Sequence, residues 1–521
     1  MSGEAQDPVI EFLASPDAFG SGTGHAERVE THISVVFLAG DRAYKLKRAV
    51  RYPYLDFSTL EKRKAACDAE VRLNRRTAPT LYKGVVAVTR GADGRFAVGG
   101  TGVPVEWLVE MARFEEETRF DRLAAKGALG RHTIEDLADA IASFHADAEI
   151  RDTDTVAGLG LTIEGDKASM ESLAGGIFDA ADIDRLAALS TRALTELAPL
   201  LQARRRSGRV RRCHGDLHLR NICVVDGRPT LFDAIEFSDT FADIDVLYDL
   251  AFLMMDLDRR GQRRLANVVM NRYLDVSGDD GGLECLPLFL SLRAAIRAHV
   301  QATAATATKT DDAVHAERLR TEAREYLASA FEYLAPGAPP MLIAVGGLSG
   351  SGKSRLARAL APFVGAAPGA RVQRTDVIRK RLMGKGPLVR LGPEGYTRDM
   401  SERTYEALYE LVRASLAAGR TTIADAVFAD AGERRRIAAE AAESGVLFHG
   451  FWLEAPTDVM ERRVSERKRN ASDATAEVVR RQADYDLGII EWTRVDSSGS
   501  KAATLGRAFA ALGIAPPASE G

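Results

Sequence analysis

The segment GGLSGSGKS at 346–354 follows the wholly apolar run MLIAV at 341–345 and precedes SRLARALAPF. Gly347, Gly352, Lys353 and Ser354 in it satisfy the spacing G-x-x-x-x-G-K-[ST]. Few patterns constrain a chain so tightly. The apolar run has to be a buried strand, the glycines have to turn backbone N–H groups inward around an anion, and a helix has to start at the lysine. Gly347, Ser349, Gly350, Ser351 and Gly352 are therefore the expected phosphate cradle, with Lys353 on the outer phosphates and Ser354 on magnesium. RVQRTD (371–376), RTTIADA (420–426) and VLFHGFWLE (446–454) are further strand candidates separated by helical stretches. Such alternation predicts an α/β domain over 341–521, with a doubly wound parallel sheet.

Acceptor-side groups are expected at the mouth of that sheet. Asp376 ends RVQRTD and is followed by Arg379, so an aspartate able to take a hydroxyl proton stands near an arginine able to grip an anionic part of the acceptor. Asp425, ending TTIAD, is either a magnesium ligand or a strand cap. In WLEAPTDVMERRVSERKRNASDAT (452–475), Arg463 and Arg467 are four apart, hence on one helical face. They are expected as lid arginines that stabilise transferred charge, the plain alternative being a solvated face. These segments resemble the small P-loop kinases, a group that includes gluconate kinase-like, polynucleotide kinase-like and zeta-toxin-like enzymes. The resemblance covers about 341–515 and leaves the acceptor open.

A second phosphate-handling pattern lies upstream. HGDLHLRN at 214–221 holds Asp216 and Asn221 at the D-x-x-x-x-N spacing of kinase catalytic loops, where the Asp faces the substrate hydroxyl and the Asn binds a metal. NICVVDGRPTLFD then reads as strand, Asp226-Gly227 turn and returning strand, which carries Asp233 back beside Asn221. HISVVFL and AYKLK form an earlier strand pair, and period-two alternation puts Lys45 and Lys47 on one face. Either lysine can serve the phosphates. FSTLEKRKAACDAEVRLNRR opens with the capping box Ser58-x-x-Glu61 and carries Glu70, the natural partner of that lysine. Glu236 either supports Asp233 or fixes the backbone; His145 is read as a packed helix residue, and His218 is left open. FADIDVLYDL is either a gatherer of cationic substrate or a capped helix start.

HGDLHLRN followed by LFDAIEF resembles the catalytic and metal segments of the aminoglycoside phosphotransferase family, whose fold is similar to that of protein kinases. That resemblance spans roughly 25–330. It implies Asp216 as catalytic base, Asn221 and Asp233 as magnesium ligands, and EWLVEM (106–111), with Glu110 and Met111, as the hinge holding adenine. No GxGxxG precedes the lysine strand, and the turn ETHIS (30–34) is the expected phosphate cover instead.

Bulk properties agree with a soluble multidomain protein. A chain of 521 residues divides into about two to four units. At a net charge of -4 it lacks the basic excess of a nucleic-acid coat. Cys67, Cys213, Cys223 and Cys285 contain no CxxC pair, which argues against a zinc site or a disulfide framework and for a reducing cytosol. MSGEAQDPVIEF has no basic stretch before an apolar run, so no secretory signal is expected. DVLYDLAFLMMDL is shorter than the about 20 apolar residues of a membrane span.

The expected architecture is a flexible lead-in over 1–24, including GSGTG, then an α+β bilobal kinase-like domain over 25–334. That domain is β-rich to about 113 and helical after it. A Pro/Gly linker at 335–340 leads to the α/β P-loop domain. The arrangement resembles bacterial proteins described as bifunctional phosphotransferase and ATP-binding proteins, a resemblance that names an architecture and not a substrate; ATP and magnesium are expected at two sites, with a small-molecule hydroxyl acceptor. Two rivals remain. One is a polynucleotide 5′-hydroxyl kinase using the arginine clusters at 204–206 and 434–436, although no aromatic-basic interleaving supports base stacking. The other makes the P-loop half a nucleotide sensor that regulates the first domain. Oligomeric state is open.

Overall fold

The computed structural model describes residues 6–16, 18–20, 26–52, 55–173, 176–308, 312–466 and 471–515. Contacts divide the chain into two compact units, 1–159 with 201–253, and 160–200 with 254–521.

The first unit is built on a six-stranded antiparallel sheet in the order Glu27–Glu30, Ser34–Ala39, Arg42–Lys47, Val103–Ala112, Tyr82–Arg90, Phe96–Val98. Alternation along its strands feeds two apolar layers. Val35, Phe37, Leu46 and Leu108 pack with Val9, Ile10 and Leu13 on one side, while Ala43, Val109 and Met111 meet Cys67 and Val71 of the helix Leu60–Asn74 on the other. The lead-in is thus partly ordered: Asp7–Ala14 is a helix, started by an Asp-Pro pair and held by its three buried apolar residues. Gly20 of GSGTG is described; its other four residues lie outside the described residues. The N-cap of Leu60–Asn74 is Thr59, not Ser58, and its hydroxyl accepts from the Lys62 N–H at 3.3 Å. Ser58 is held by Asp56 instead, whose Oδ1 accepts from its N–H at 3.0 Å and its hydroxyl at 2.5 Å.

Ile222–Val225 and Arg228–Leu231 form the expected antiparallel hairpin. Asp226 and Gly227 both have positive φ, 50° and 73°, as a two-residue turn between right-twisted strands requires.

In the second unit, five parallel strands run in the order Arg371–Arg374, Thr422–Asp425, Met341–Gly346, Leu447–Glu454, Thr493–Asp496. Both faces are covered. Ile343 and Val345 point toward the layer of Leu356, Leu360 and Phe509, and Leu342 and Ala344 toward that of Leu408, Val412 and Ile437. That is why MLIAV is apolar without alternation. The strand in RVQRTD stops at Arg374, and the helix Thr375–Leu382 begins at once, so Asp376 stands in a first helical turn rather than at a strand end.

The same unit holds the helices Arg263–Ser277, Leu286–Ala307 and Ala313–Leu334. Arg371, 1% exposed, ties the sheet to this helical part: its guanidinium donates to Asp280 and Asp275, both at 2.7 Å. Among the described residues no helix is long and apolar enough to cross a membrane.

Candidate functional site

Expected residues lie in both units, and in the first Lys45, Lys47, Glu70 and Asp233 are in direct contact. In the first, the strand Arg42–Lys47 sends both lysines to the helix Leu60–Asn74. Lys45 Nζ donates to Glu70 Oε1 at 2.9 Å and to Asp233 Oδ1 at 2.6 Å. Lys47 Nζ donates to Glu70 Oε2 at 2.6 Å and also to Glu236. Glu70 therefore grips both lysines. The lysines differ in depth: the Lys45 side chain is 13% exposed, that of Lys47 2%. Burial pushes the Glu70 carboxyl up, yet the two ammonium groups outweigh it and hold the carboxyl at about 2. Burial likewise pulls both lysines down, and their carboxylate neighbours, led by Asp233 for Lys45 and Glu236 for Lys47, reverse the shift and raise them. Glu236 is raised, with burial as the leading cause.

One turn beyond Glu70, Asn74 accepts the Ala234 N–H at 2.8 Å, and the Tyr82 hydroxyl accepts the Asp233 N–H at 3.1 Å. These bonds pin Asp233, whose φ of 63° is unusual for a non-glycine residue. Asp216 lies in the loop after Val210–Arg212. Its Oδ2 accepts from Asn221 Nδ2 at 2.9 Å and lies 3.3 Å from His218 Nε2. Asn221 and Asp233 are joined through the backbone by the Phe232 N–H on the Asn221 carbonyl at 3.0 Å.

Sequence reasoning left out the supports of this loop. His214 Nδ1 accepts the Asp216 N–H at 3.3 Å, so its Nε2 carries the proton and donates to the Phe232 carbonyl at 2.9 Å. Burial lowers its pKa and keeps this ring neutral. Asp249 accepts the N–H groups of His214 and Gly215 at 3.0 and 2.8 Å and pairs with His145 Nε2 at 3.1 Å. His145, Cys213 and Asp249 have donor atoms close enough for a metal, but these bonds commit Asp249 to the backbone. The segment 106–111 lies inside the strand Val103–Ala112. Glu106 is buried against Arg63, Glu110 pairs with Arg42 at 2.6 Å, and Met111 packs beside Cys223 and Phe232.

In the second unit the loop 347–352 joins its strand to the helix Lys353–Leu360. Gly347, Gly350 and Gly352 all have positive φ. Gly350 also needs to lack a side chain, since a Cβ there would stand 2.6 Å from the Met460 carbonyl oxygen. Lys353 Nζ donates to the Leu348 carbonyl at 3.0 Å, and Ser354 is the second residue of the helix. Asp425, 4% exposed, ends the neighbouring strand opposite Val345 and accepts from Arg374 Nε at 3.2 Å.

Arg379 donates to the Gly395 carbonyl at 2.8 Å and stacks over Tyr396 at 5.1 Å. Arg463, in the helix Thr457–Ser465, donates to the Ser497 carbonyl at 2.7 Å. The Ser497 hydroxyl in turn donates to the Ser351 carbonyl of the glycine loop at 2.6 Å. Arg467 lies outside the described residues. Two further groups, Gln482 and Asp473, had no sequence signal: Gln482 Oε1 accepts the Ser349 N–H at 2.7 Å, and Asp473 pairs with Lys380 at 3.1 Å.

Carboxylate and amide oxygens of Asn221 and Asp233 are the hard donors that magnesium takes, and the Ser354 hydroxyl and Asp425 are of the same kind. Both sets of residues therefore fit that ion chemically.

The phosphotransferase enzyme family model matches residues 40–288, and an AAA domain model matches residues 342–485. Over 497 residues the chain is 31% identical to the uncharacterized protein Rv2004c of Mycobacterium tuberculosis (strain ATCC 25618 / H37Rv), an alignment covering 92% of this chain and 94% of that one. Among solved structures it is similar to a choline/ethanolamine kinase family protein from Mesorhizobium loti, at 16% identity and a TM-score of 0.41, covering 64% of this chain and 95% of that one. A sugar kinase from Janibacter sp. HTCC2649 is similar at 20% identity and a TM-score of 0.26, covering 34% of this chain and 97% of that one.

Proposed function

Since the chain belongs to the family of that mycobacterial protein, and is a phosphotransferase joining a phosphotransferase-family domain to a P-loop kinase-like domain, we propose that it transfers the γ-phosphate of ATP to hydroxyl acceptors at two separate sites. The carrying observation is the cluster at Asp216. Lys45 and Asp233, 188 residues apart in sequence, meet at 2.6 Å, and Asn221 bonds the Asp216 carboxylate nearby.

In this reading Lys45, steadied by Glu70, holds the nucleotide phosphates, and Asn221 and Asp233 hold magnesium, which supplies charge neutralisation on the phosphates when bound. Asp216 takes the acceptor's hydroxyl proton as the acceptor oxygen bonds to the γ-phosphorus. The bond from that phosphorus to the bridging oxygen breaks, and ADP leaves. The exposed 38% of the Asp216 side chain lets an acceptor reach it, while Asn221 and His218 fix its direction. At the second site the glycine loop, Lys353 and Ser354 take the nucleotide, and Asp376 faces a small-molecule acceptor.

Labelled ATP incubated with a metabolite and nucleic-acid extract tests both sites, using wild type, Asp216→Ala and Lys353→Ala. Two enzymes lose different products in the two variants. Loss of one common product makes the P-loop half a regulator, a labelled 5′ end makes it a polynucleotide kinase, and no product from wild type sinks the proposal.

A further inference from the structure

Arg379 was the expected anion grip on the acceptor side, yet its guanidinium is engaged by the Gly395 carbonyl, the Ser401 hydroxyl at 3.4 Å and the Tyr396 ring. The next residue is placed differently. Lys380 is 1% exposed, and four positions separate it from Asp376, so the two share a helical face. Its ammonium donates to the Asp473 carboxylate at 3.1 Å. The other oxygen of that carboxylate accepts the Leu391 N–H at 3.1 Å and the Tyr396 hydroxyl at 2.8 Å. A carboxylate whose side chain is 8% exposed is thus held by a buried cation and two neutral donors, one of which, the Tyr396 hydroxyl, belongs to the ring that Arg379 covers and feels the charge of Asp376.

We propose that Lys380, the Leu391 N–H and Tyr396 form a seat for an anionic group of the acceptor, for which Asp473 is the chain's own competing anion. The acceptor of this domain is then a hydroxylated compound bearing a carboxylate or a phosphate. This rests on the reading of Asp376 as the group that faces the acceptor. A second contact agrees with it. Gln482, from the same stretch of chain as Asp473, lays its amide oxygen on the Ser349 N–H of the glycine loop, where a phosphate oxygen is expected. Residues 471–483 thus bring one acceptor-like oxygen to each half of the site.

The test is calorimetric titration of the full chain, saturated with ADP and magnesium to fill nucleotide loops, with inorganic phosphate in one arm and glycolate in the other. Asp473→Asn is expected to bind one of the two probes roughly tenfold tighter than wild type, the size of one charge-assisted hydrogen bond. Lys380→Met added to that variant should remove the gain. Equal binding by wild type and Asp473→Asn in both arms overturns the proposal, and so does a gain that survives Lys380→Met. Should Asp473→Asn be too unstable to titrate, its melting in phosphate or glycolate against chloride at matched ionic strength decides: a higher Tm that needs Lys380 supports the seat, and identical melting overturns it. ADP binding measured first separates the two failures. If ADP does not bind, the nucleotide reading fails, and titration of Lys353→Ala still tests the seat.

Discussion

Lys45 and Lys47 share one strand face and one partner, Glu70, but depth separates them. Lys45 reaches the partly exposed Asp233, whereas Lys47 is enclosed between Glu70 and Glu236. Lys45→Met should abolish transfer that depends on Asp216 while leaving the melting temperature close to wild type. Lys47→Met leaves the buried Glu236 without its cation while Glu70 keeps only Lys45, and should cost about 3–5 kcal/mol in a denaturant melt. The shared face was legible from period-two alternation. Depth was not, because it depends on the register that sets Lys47 opposite the buried Ser34 and Lys45 opposite Val36.

The carboxylates of this cluster titrate in adjoining windows. Glu70 is held below its ordinary 4.5, so its contribution is complete above 4.5 and is lost as pH falls toward about 2. Glu236 is raised above 4.5, so its favourable contribution is present below 4.5 and is lost as pH climbs through its folded value. Glu70→Gln should flatten the acid limb of the stability profile below 4.5, and Glu236→Gln the limb above it. Urea melts across this range read both.

At the scale of elements, the helix Leu60–Asn74 positions both the lysines and the segment that carries Asp233. Glu70 and Asn74 are one turn apart, and the second holds the buried Ala234 N–H. Asn74→Ala strands that N–H at a cost of about 1–3 kcal/mol, and it should lower kcat more than it raises KM, because it loosens Asp233 rather than the acceptor. The helix itself was legible, and its first residue was not. Ser58 and Thr59 are both good caps, and the choice was made by Asp56, which captures Ser58 in a local turn. The N-terminal helix Asp7–Ala14 did carry a signal, an Asp-Pro start with Val9, Ile10 and Leu13 along one side, outweighed by the polar residues around it.

Across the whole chain, the parallel sheet was readable from MLIAV and the alternation after it, but its fastening to the helices before it was not. Arg371 finds Asp280 and Asp275 at sequence distances of 91 and 96, which no local pattern encodes. Burial pulls the Arg371 pKa down, and the two carboxylates reverse the shift and raise it. Asn271 completes the set: its side-chain oxygen accepts the Val372 N–H at 2.8 Å and an Arg371 N–H at 3.1 Å. Cutting the chain at 335–340 would remove every one of these partners, so 341–521 alone should melt well below the full chain. The same dependence can be measured without cutting. Arg371→Met leaves Asp280 buried with only Gln373 and the more distant Arg381 facing it, a loss of about 3–5 kcal/mol. Adding Asp280→Asn and Asp275→Asn should recover much of that loss, because amides of the same size as the carboxylates no longer strand a charge. If Arg371→Met melts like wild type, the ion cluster is not what fastens the sheet to the helices.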